Sequence, residues 1–257
     1  MNMPSKQESG CVIVPAFNEE KFIKQLVIGI RQYIPNVLVI DDGSIDSTAE
    51  EARKGGAYVI RHTANLGKGR ALISGFKHAI NVGYDFVVTM DGDGQHLPED
   101  LPLFINEYFR SKSPVIIGNR MNNPENMPLV RKITNRFMSW CISKLIHQHV
   151  PDTQNGFRLY SSSVLPLLID VQSEGFAAES EVLLYLSAKK IKITYVPISV
   201  IYGNEKSKIR PIRDTWRFFK MLFCFFMKSK LKFKCIYLVI FICSKVLYQS
   251  IGRLIML

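Results

Sequence analysis

At 257 residues, 47% of them hydrophobic and 21% charged, the chain is long enough for one sizeable core with a small appendage and too apolar to be disordered. Its five cysteines, at 11, 141, 224, 235 and 243, are odd in number and form no CxxC pair, which argues against a disulfide framework or a zinc site and for a reducing compartment. The net charge of +11 is unevenly held: residues 1–202 carry 21 Lys/Arg against 20 Asp/Glu, whereas residues 203–257 carry 12 against Glu205 and Asp214 alone.

The opening MNMPSKQESG is polar and shows no secretory signal, so the globular part is expected in the cytosol. Cys11-Val-Ile-Val-Pro15 reads as a strand and Glu19 to about Tyr33 as a helix. Asn36 to Ile40 is the next strand; the turn Asp41-Asp-Gly-Ser-Ile-Asp46 follows, with Ser47 and Thr48 as caps for a further helix. Tyr58 to Arg61 is a strand, Asn65 to Gly69 a glycine-bearing loop and Arg70 to Asn81 a helix. A buried strand over Asp85–Met90 runs into DGDGQH. Beyond it come a helix to about Arg110, a strand at Val115–Gly118, a helix over Leu129–His147, the loop Pro151–Gly156 and a strand at Phe157–Tyr160. A short helix near Val164–Ile169, a helix over about Ala178–Ala188 and a strand at Lys192–Val196 complete the pattern. Strands alternating with helices predict an α/β fold, a mostly parallel sheet with helices on both faces.

The division expected is a globular domain over 1–210 and a basic tail over 211–257. Six phenylalanines between 218 and 233 lie among the tail's lysines, a mixture that favours an anionic membrane surface over nucleic acid. A helix is expected from Ile212 to Met227. Only Cys235–Cys243 is wholly uncharged after it, too short to span a bilayer, so the tail reads as an interfacial helical hairpin or a single imperfect span. One or two such helices also offer a surface for homo-oligomer formation.

The chemistry lies at strand ends, where open α/β sheets bind ligands. Asp91 and Asp93 repel one another unless solvated or bridged by a cation. With the amide oxygen of Gln95 they could ligate a hard divalent ion such as Mg²⁺ or Mn²⁺. Taken alone the pattern is more often a solvated acidic turn, and His96 a structural hydrogen-bonding residue. Asp41, Asp42 and Asp46 also follow a strand, and Asn65-Leu-Gly-Lys-Gly-Arg70 sets two cations and two glycines before a helix, a setting for phosphate. Asp46 alone could cap a helix, Lys68 be a solvated charge and Gly67 and Gly69 serve only a turn; one shared nucleotide site accounts for all of them together.

VIVPAFNEE, DDGSIDST, NLGKGRAL and DGDGQHLPED, in this order, resemble the family 2 glycosyltransferases of GT-A fold. GNR at 118–120, RKITNRFMSW at 131–140, DTQNGFRLY at 152–160 and SKIRPIRDTWRF at 207–218 bring the resemblance closer to the polyprenyl-phosphate sugar synthases, such as the dolichyl-phosphate mannose and glucose synthases. The resemblance implies that Pro15, Phe17, Glu19 and Asp42 hold the nucleoside of a nucleotide sugar, with Asp41 close by and Lys68 near the donor. It implies that Asp91, Asp93 and Gln95 hold Mg²⁺ or Mn²⁺, and that Arg120, Arg131 and Arg210 meet the phosphate of a polyprenyl (undecaprenyl or dolichyl) acceptor, with Arg136 competing for the place of Arg131. Asn135 departs from the serine common in relatives.

The expected reaction is inverting transfer of a hexose to that lipid phosphate at the cytoplasmic face of the membrane, with no nucleic-acid partner. A phosphate monoester is largely a dianion at neutral pH and needs no general base. The alternative is a hydroxyl acceptor in cell-envelope polysaccharide synthesis, for which Asp152, Glu179 or Glu181 would be the base. The Gln-x-x-Arg-Trp motif of processive synthases is absent.

Overall fold

The computed structural model describes residues 9–122, 124, 127–169, 176–201 and 218–223. The chain divides into two compact units, Met1–Ser207 and Lys208–Leu257. In the first, β1 (Gly10–Ala16), β2 (Asn36–Asp41), β3 (Tyr58–Arg61), β4 (Phe86–Thr89), β5 (Val115–Asn119), β6 (Arg158–Ser161) and β7 (Ile193–Pro197) form one sheet in the order β3-β2-β1-β4-β6-β5-β7. Between them run α1 (Ile23–Arg31), α2 (Thr48–Lys54), α3 (Lys68–Val82), α4 (Leu101–Ser111), α5 (Leu129–Ile146), α6 (Leu165–Leu168) and α7 (Phe176–Ala188).

The central strands read as unbroken apolar runs because helices cover both faces of the sheet. Val12 and Val14 point into a core cluster with Ile23, Val27 and Ile30 of α1 and Phe104 of α4. Ile13, between them, points the other way: at Gly75 of α3 an added Cβ would stand 2.6 Å from its Cγ2. The period-two alternation of β1 thus sorts its side chains into two buried layers.

The sheet is mostly parallel, as expected, with one exception. β6 runs antiparallel to both of its neighbours, β4 and β5. Its reversed entry brings the loop before it to the edge where β1, β2, β4, β5 and β7 end. Nearly all the motifs singled out above converge on that edge.

Two local readings are corrected. Residues 19–22 form a turn ahead of α1 that is tied to the start of α2: Glu19 N–H donates to Thr48 Oγ1 at 2.8 Å and Glu20 N–H to Asp46 Oδ2 at 3.3 Å. The side chain of Ser47 makes no capping bond to α2; Asp46 Oδ1 accepts the Thr48 N–H at 3.0 Å instead.

Of the helix expected over 212–227, residues 218–223 are described and are helical. Arg210 and the rest of the tail lie outside the described residues. Among the described residues no helix is long and apolar enough to cross a membrane.

Candidate active site

The carboxylate loop leaves β4 two residues after Thr89. Gly94 takes a φ of +71° that other residues rarely adopt, turning the chain so that the Gln95 N–H donates to Asp93 Oδ1 at 3.1 Å. Asp91, Asp93 and Gln95 are all partly exposed, whereas His96 is buried, its ring 5.3 Å from that of Phe157. His96 therefore packs beneath the loop, and burial lowers its pKa against the pull of Asp91 and Asp93. The segment after β7 closes the other side, with Ile201 N–H donating to Gln95 O at 3.0 Å.

Lys68, at the start of α3, reaches across to this loop. Its Nζ lies 2.6 Å from Asp91 Oδ1 and 2.8 Å from Glu179 Oε1 on α7. Burial alone would raise the Asp91 pKa, but the charges of Lys68, His96 and Arg120 outweigh it and hold the carboxyl at about 2. Burial likewise opposes the Lys68 charge, and the two carboxylates more than reverse it, raising its pKa. Thr89 Oγ1 donates to Gly156 O at 2.8 Å, pinning the backbone before β6 against this pair.

The two acidic residues at the end of β2 are both engaged by neighbouring protein groups. Asp41 is buried, accepting from Ser44 N–H at 2.9 Å and pairing with Arg61 Nε at 3.1 Å. Asp42 accepts the N–H groups of Leu66 at 3.0 Å and Gly67 at 2.7 Å, and lies 2.7 Å from His62 Nδ1. It thereby ties the Asn65–Gly69 loop to the end of β2. Pro15 and Glu19 are partly buried beside this pair of loops, and Phe17 is 39% exposed at the end of β1.

On the far side, Arg120 follows β5 and is only 8% exposed. It donates to Asp152 through Nε at 2.7 Å and Nη2 at 2.9 Å, and its backbone N–H donates to the same carboxylate at 3.2 Å. Asn135 of α5 donates to Asp152 Oδ1 at 2.9 Å. Burial pushes the Asp152 pKa up, and Arg120 and Asn135 bring it below the usual carboxylate value. Arg131, one turn earlier on α5, directs Nη1 to Gln95 Oε1 at 3.4 Å, which sets a guanidinium beside the carboxylate loop. Arg136, its rival in the sequence, is exposed.

The family model for glycosyl transferase family 2 matches residues 11–166, from β1 to the start of α6. The chain belongs to glycosyl transferase family 2. It is 34% identical over 213 residues to the UDP-N-acetylglucosamine–dolichyl-phosphate N-acetylglucosaminyltransferase of Methanococcus voltae, covering 74% of this chain and 85% of that protein. It is 30% identical over 200 residues to the undecaprenyl-phosphate mannosyltransferase of Micrococcus luteus, covering 74% and 82%. The fold matches glucosyl-3-phosphoglycerate synthase of Mycobacterium tuberculosis, crystallised with Mn²⁺, UDP-glucose and phosphoglyceric acid, at a TM-score of 0.66 and 19% identity over 88% of this chain and 82% of that one.

As a family 2 glycosyltransferase, the enzyme transfers a sugar from a nucleotide sugar. Among the described residues no three His, Cys, Asp or Glu side chains gather to hold a metal. The donor set fits a divalent ion in another way. Asp91, Asp93 and Gln95 offer carboxylate and amide oxygens at partly exposed positions of one loop, donor types that suit a hard cation completing its shell with substrate phosphate and water.

Sequence reasoning did not foresee three contacts at this edge. Gly156 abuts Asp91 and Lys68, Glu179 pairs with Lys68, and His62 steadies Asp42. Gly156 stood within DTQNGFRLY and Glu179 was considered only as a base, and their partners depend on long-range packing that no local spacing reveals.

Proposed function

We propose that the enzyme moves a hexosyl group, with inversion and with Mg²⁺ or Mn²⁺, from a nucleotide sugar to a polyprenyl phosphate at the cytoplasmic face of a membrane. One observation carries this reading: of the three carboxylates considered as a general base, Asp152 and Glu179 are held by cations. Asp152 is clamped by Arg120, and Glu179 and Asp91 share Lys68. A carboxylate engaged by a cation is poorly placed to deprotonate a sugar hydroxyl, and Arg120 holds the Asp152 pKa below the usual carboxylate value. A lipid phosphate needs no such help, because it arrives as an anion. The names of the Methanococcus voltae and Micrococcus luteus relatives, which specify dolichyl phosphate and undecaprenyl phosphate, support the same acceptor class.

In this reading an acceptor phosphate oxygen forms the new bond to the anomeric carbon while the bond to the donor diphosphate breaks from the opposite side, its electron pair leaving with the diphosphate. Asp91, Asp93 and Gln95 would hold the divalent ion, which supplies charge neutralisation for that leaving group. Lys68 adds a cation on the same side. Arg120 and Arg131 would orient the acceptor phosphate, a task suited to a planar fork that stays charged, and the same role for Arg210 rests on the motif resemblance alone. Pro15, Phe17 and Glu19 line the nucleoside, with Asp41 and Asp42 holding the loops around it. Alignment and charge screening are then the main catalytic terms.

The test is nucleotide diphosphate release by purified protein, across UDP- and GDP-sugars, with and without polyprenyl phosphate and with Mg²⁺ or Mn²⁺. The expected result is release that requires one donor, the metal and the lipid together. Release driven equally well by a hydroxyl acceptor would overturn the proposal and make Glu179 and Glu181 the next residues to test.

A further inference from the structure

Lys68 does not point to solvent; it is strung between two carboxylates of unlike surroundings. Asp91 belongs to the open carboxylate loop, with 28% of its side chain exposed, while Glu179 rises from α7 with 6% exposed. Glu179 uses Oε1 on Lys68, and its Oε2 is buried with no hydrogen-bond partner. Holding a buried carboxylate with one oxygen unsatisfied is costly. The charge is tolerated here because the ammonium lies against it. Gly156 closes the remaining space: a Cβ there would stand 2.8 Å from Lys68 Nζ and 2.6 Å from Asp91 Oδ1. The ammonium is therefore confined to a slot whose inner wall is Glu179 and whose outer wall is a carboxylate of the loop assigned above to the metal.

We propose that Glu179 is a positioning residue: it anchors the Lys68 ammonium at the inner side of Asp91, so that Lys68 rivals a divalent cation for Asp91 and, once the cation binds, stays on Glu179 as a second positive charge beside the donor diphosphate. The proposal rests on the assignment of Asp91, Asp93 and Gln95 to the metal. Its physical basis is competition between an ammonium and a divalent ion for one carboxylate. Glu179 lowers the strength of that competition by sharing the ammonium. Removing Glu179 leaves Lys68 with Asp91 as its sole anionic partner in this slot and strengthens the lysine's hold. Removing Lys68 frees Asp91 altogether.

The experiment is Mn²⁺ binding to the full chain without substrate, read from the electron paramagnetic resonance of free Mn²⁺. Four proteins form a cycle: the parent, Lys68→Met, Glu179→Gln and the double variant, with Asp93→Ala as control. Lys68→Met is expected to tighten Mn²⁺ about tenfold, as loss of an adjacent positive charge should. Glu179→Gln is expected to weaken it several-fold in the parent and clearly less in the Lys68→Met background. Equal weakening in both backgrounds would show that Glu179 acts on the metal directly and would overturn the proposal. So would Mn²⁺ binding that Lys68→Met leaves unchanged or weakens. If circular dichroism shows that Glu179→Gln does not fold, the response to Lys68→Met decides by itself. Binding that is absent in the parent, or that survives Asp93→Ala, removes the metal assignment and this proposal with it. Binding lost in Asp93→Ala yet indifferent to Lys68 removes this proposal alone.

Discussion

Asp91 and Asp93 are two residues apart on one loop yet differ in what surrounds them. Asp91 is already neutralised in part by Lys68, whereas Asp93 accepts only a backbone amide from Gln95 in the bonds given above. Asp93 should therefore depend most on an added cation. Asp93→Ala is expected to cut transfer by about 100-fold or more, the scale of a lost electrostatic stabiliser, with the circular dichroism spectrum unchanged; activity within a few-fold of the parent would sink the assignment. Gly156→Ala is a sharper steric probe, because its new methyl would overlap the Lys68–Asp91 pair. Displacing such a pair by about 1 Å should cost about 100-fold in turnover, whereas a Gly156→Ala enzyme with parental kcat would mean the slot relaxes harmlessly. At this scale the carboxylates, the amide and the lysine could be singled out as candidates, since each sits in a short motif with its own chemistry, and the structure brings Lys68 against Asp91. Asp42 stood among the candidates, but its bonding was not legible: its use of the Leu66 and Gly67 amides depends on how two loops meet after folding.

Strands and helices were read from apolar runs and caps with small shifts at their ends, as expected where each element buries a continuous face. What those runs do not encode is direction. β6 looks like any short apolar strand, and its antiparallel course appears only in its pairing with Thr89 and Ile117 through Arg158. That reversal delivers Asp152 to Arg120, and α5 adds Asn135 to the same carboxylate. The resulting cluster joins the end of β5, the loop before β6 and the helix that carries Arg131. Removing Asp152 strands a buried guanidinium, so Asp152→Ala should destabilise the fold by about 3–5 kcal/mol, measurable by urea unfolding; a loss under about 1 kcal/mol would show that solvent or another group satisfies Arg120. The pH dependence has a definite sign. The folded Asp152 pKa lies below its unfolded value, so its contribution is complete above about pH 4 and is lost as the pH falls through the folded pKa. Asp152→Asn should flatten that part of the acid-stability curve, and an unchanged acid limb would contradict the ion pair.

At the scale of the whole molecule, charge is segregated along the chain more strongly than any element boundary. The last thirty residues, 228–257, contain six Lys/Arg and no Asp/Glu. The acceptor class proposed for the enzyme lives in a membrane, so a basic, apolar C-terminal segment suits a protein that must meet its substrate at that surface. Each Lys or Arg near an anionic bilayer is worth on the order of 1 kcal/mol, an attraction that falls off within a Debye length. Deleting residues 228–257 should therefore release the protein from vesicles containing anionic lipid, as read by flotation, while donor binding by the first unit persists. Raising the salt should weaken binding of the full chain, because the electrostatic share is screened; the apolar share should remain. Flotation unchanged by the deletion would move the anchoring to residues before 228, and salt-insensitive binding would make the tail's phenylalanines and aliphatics, not its lysines, the part that holds the membrane.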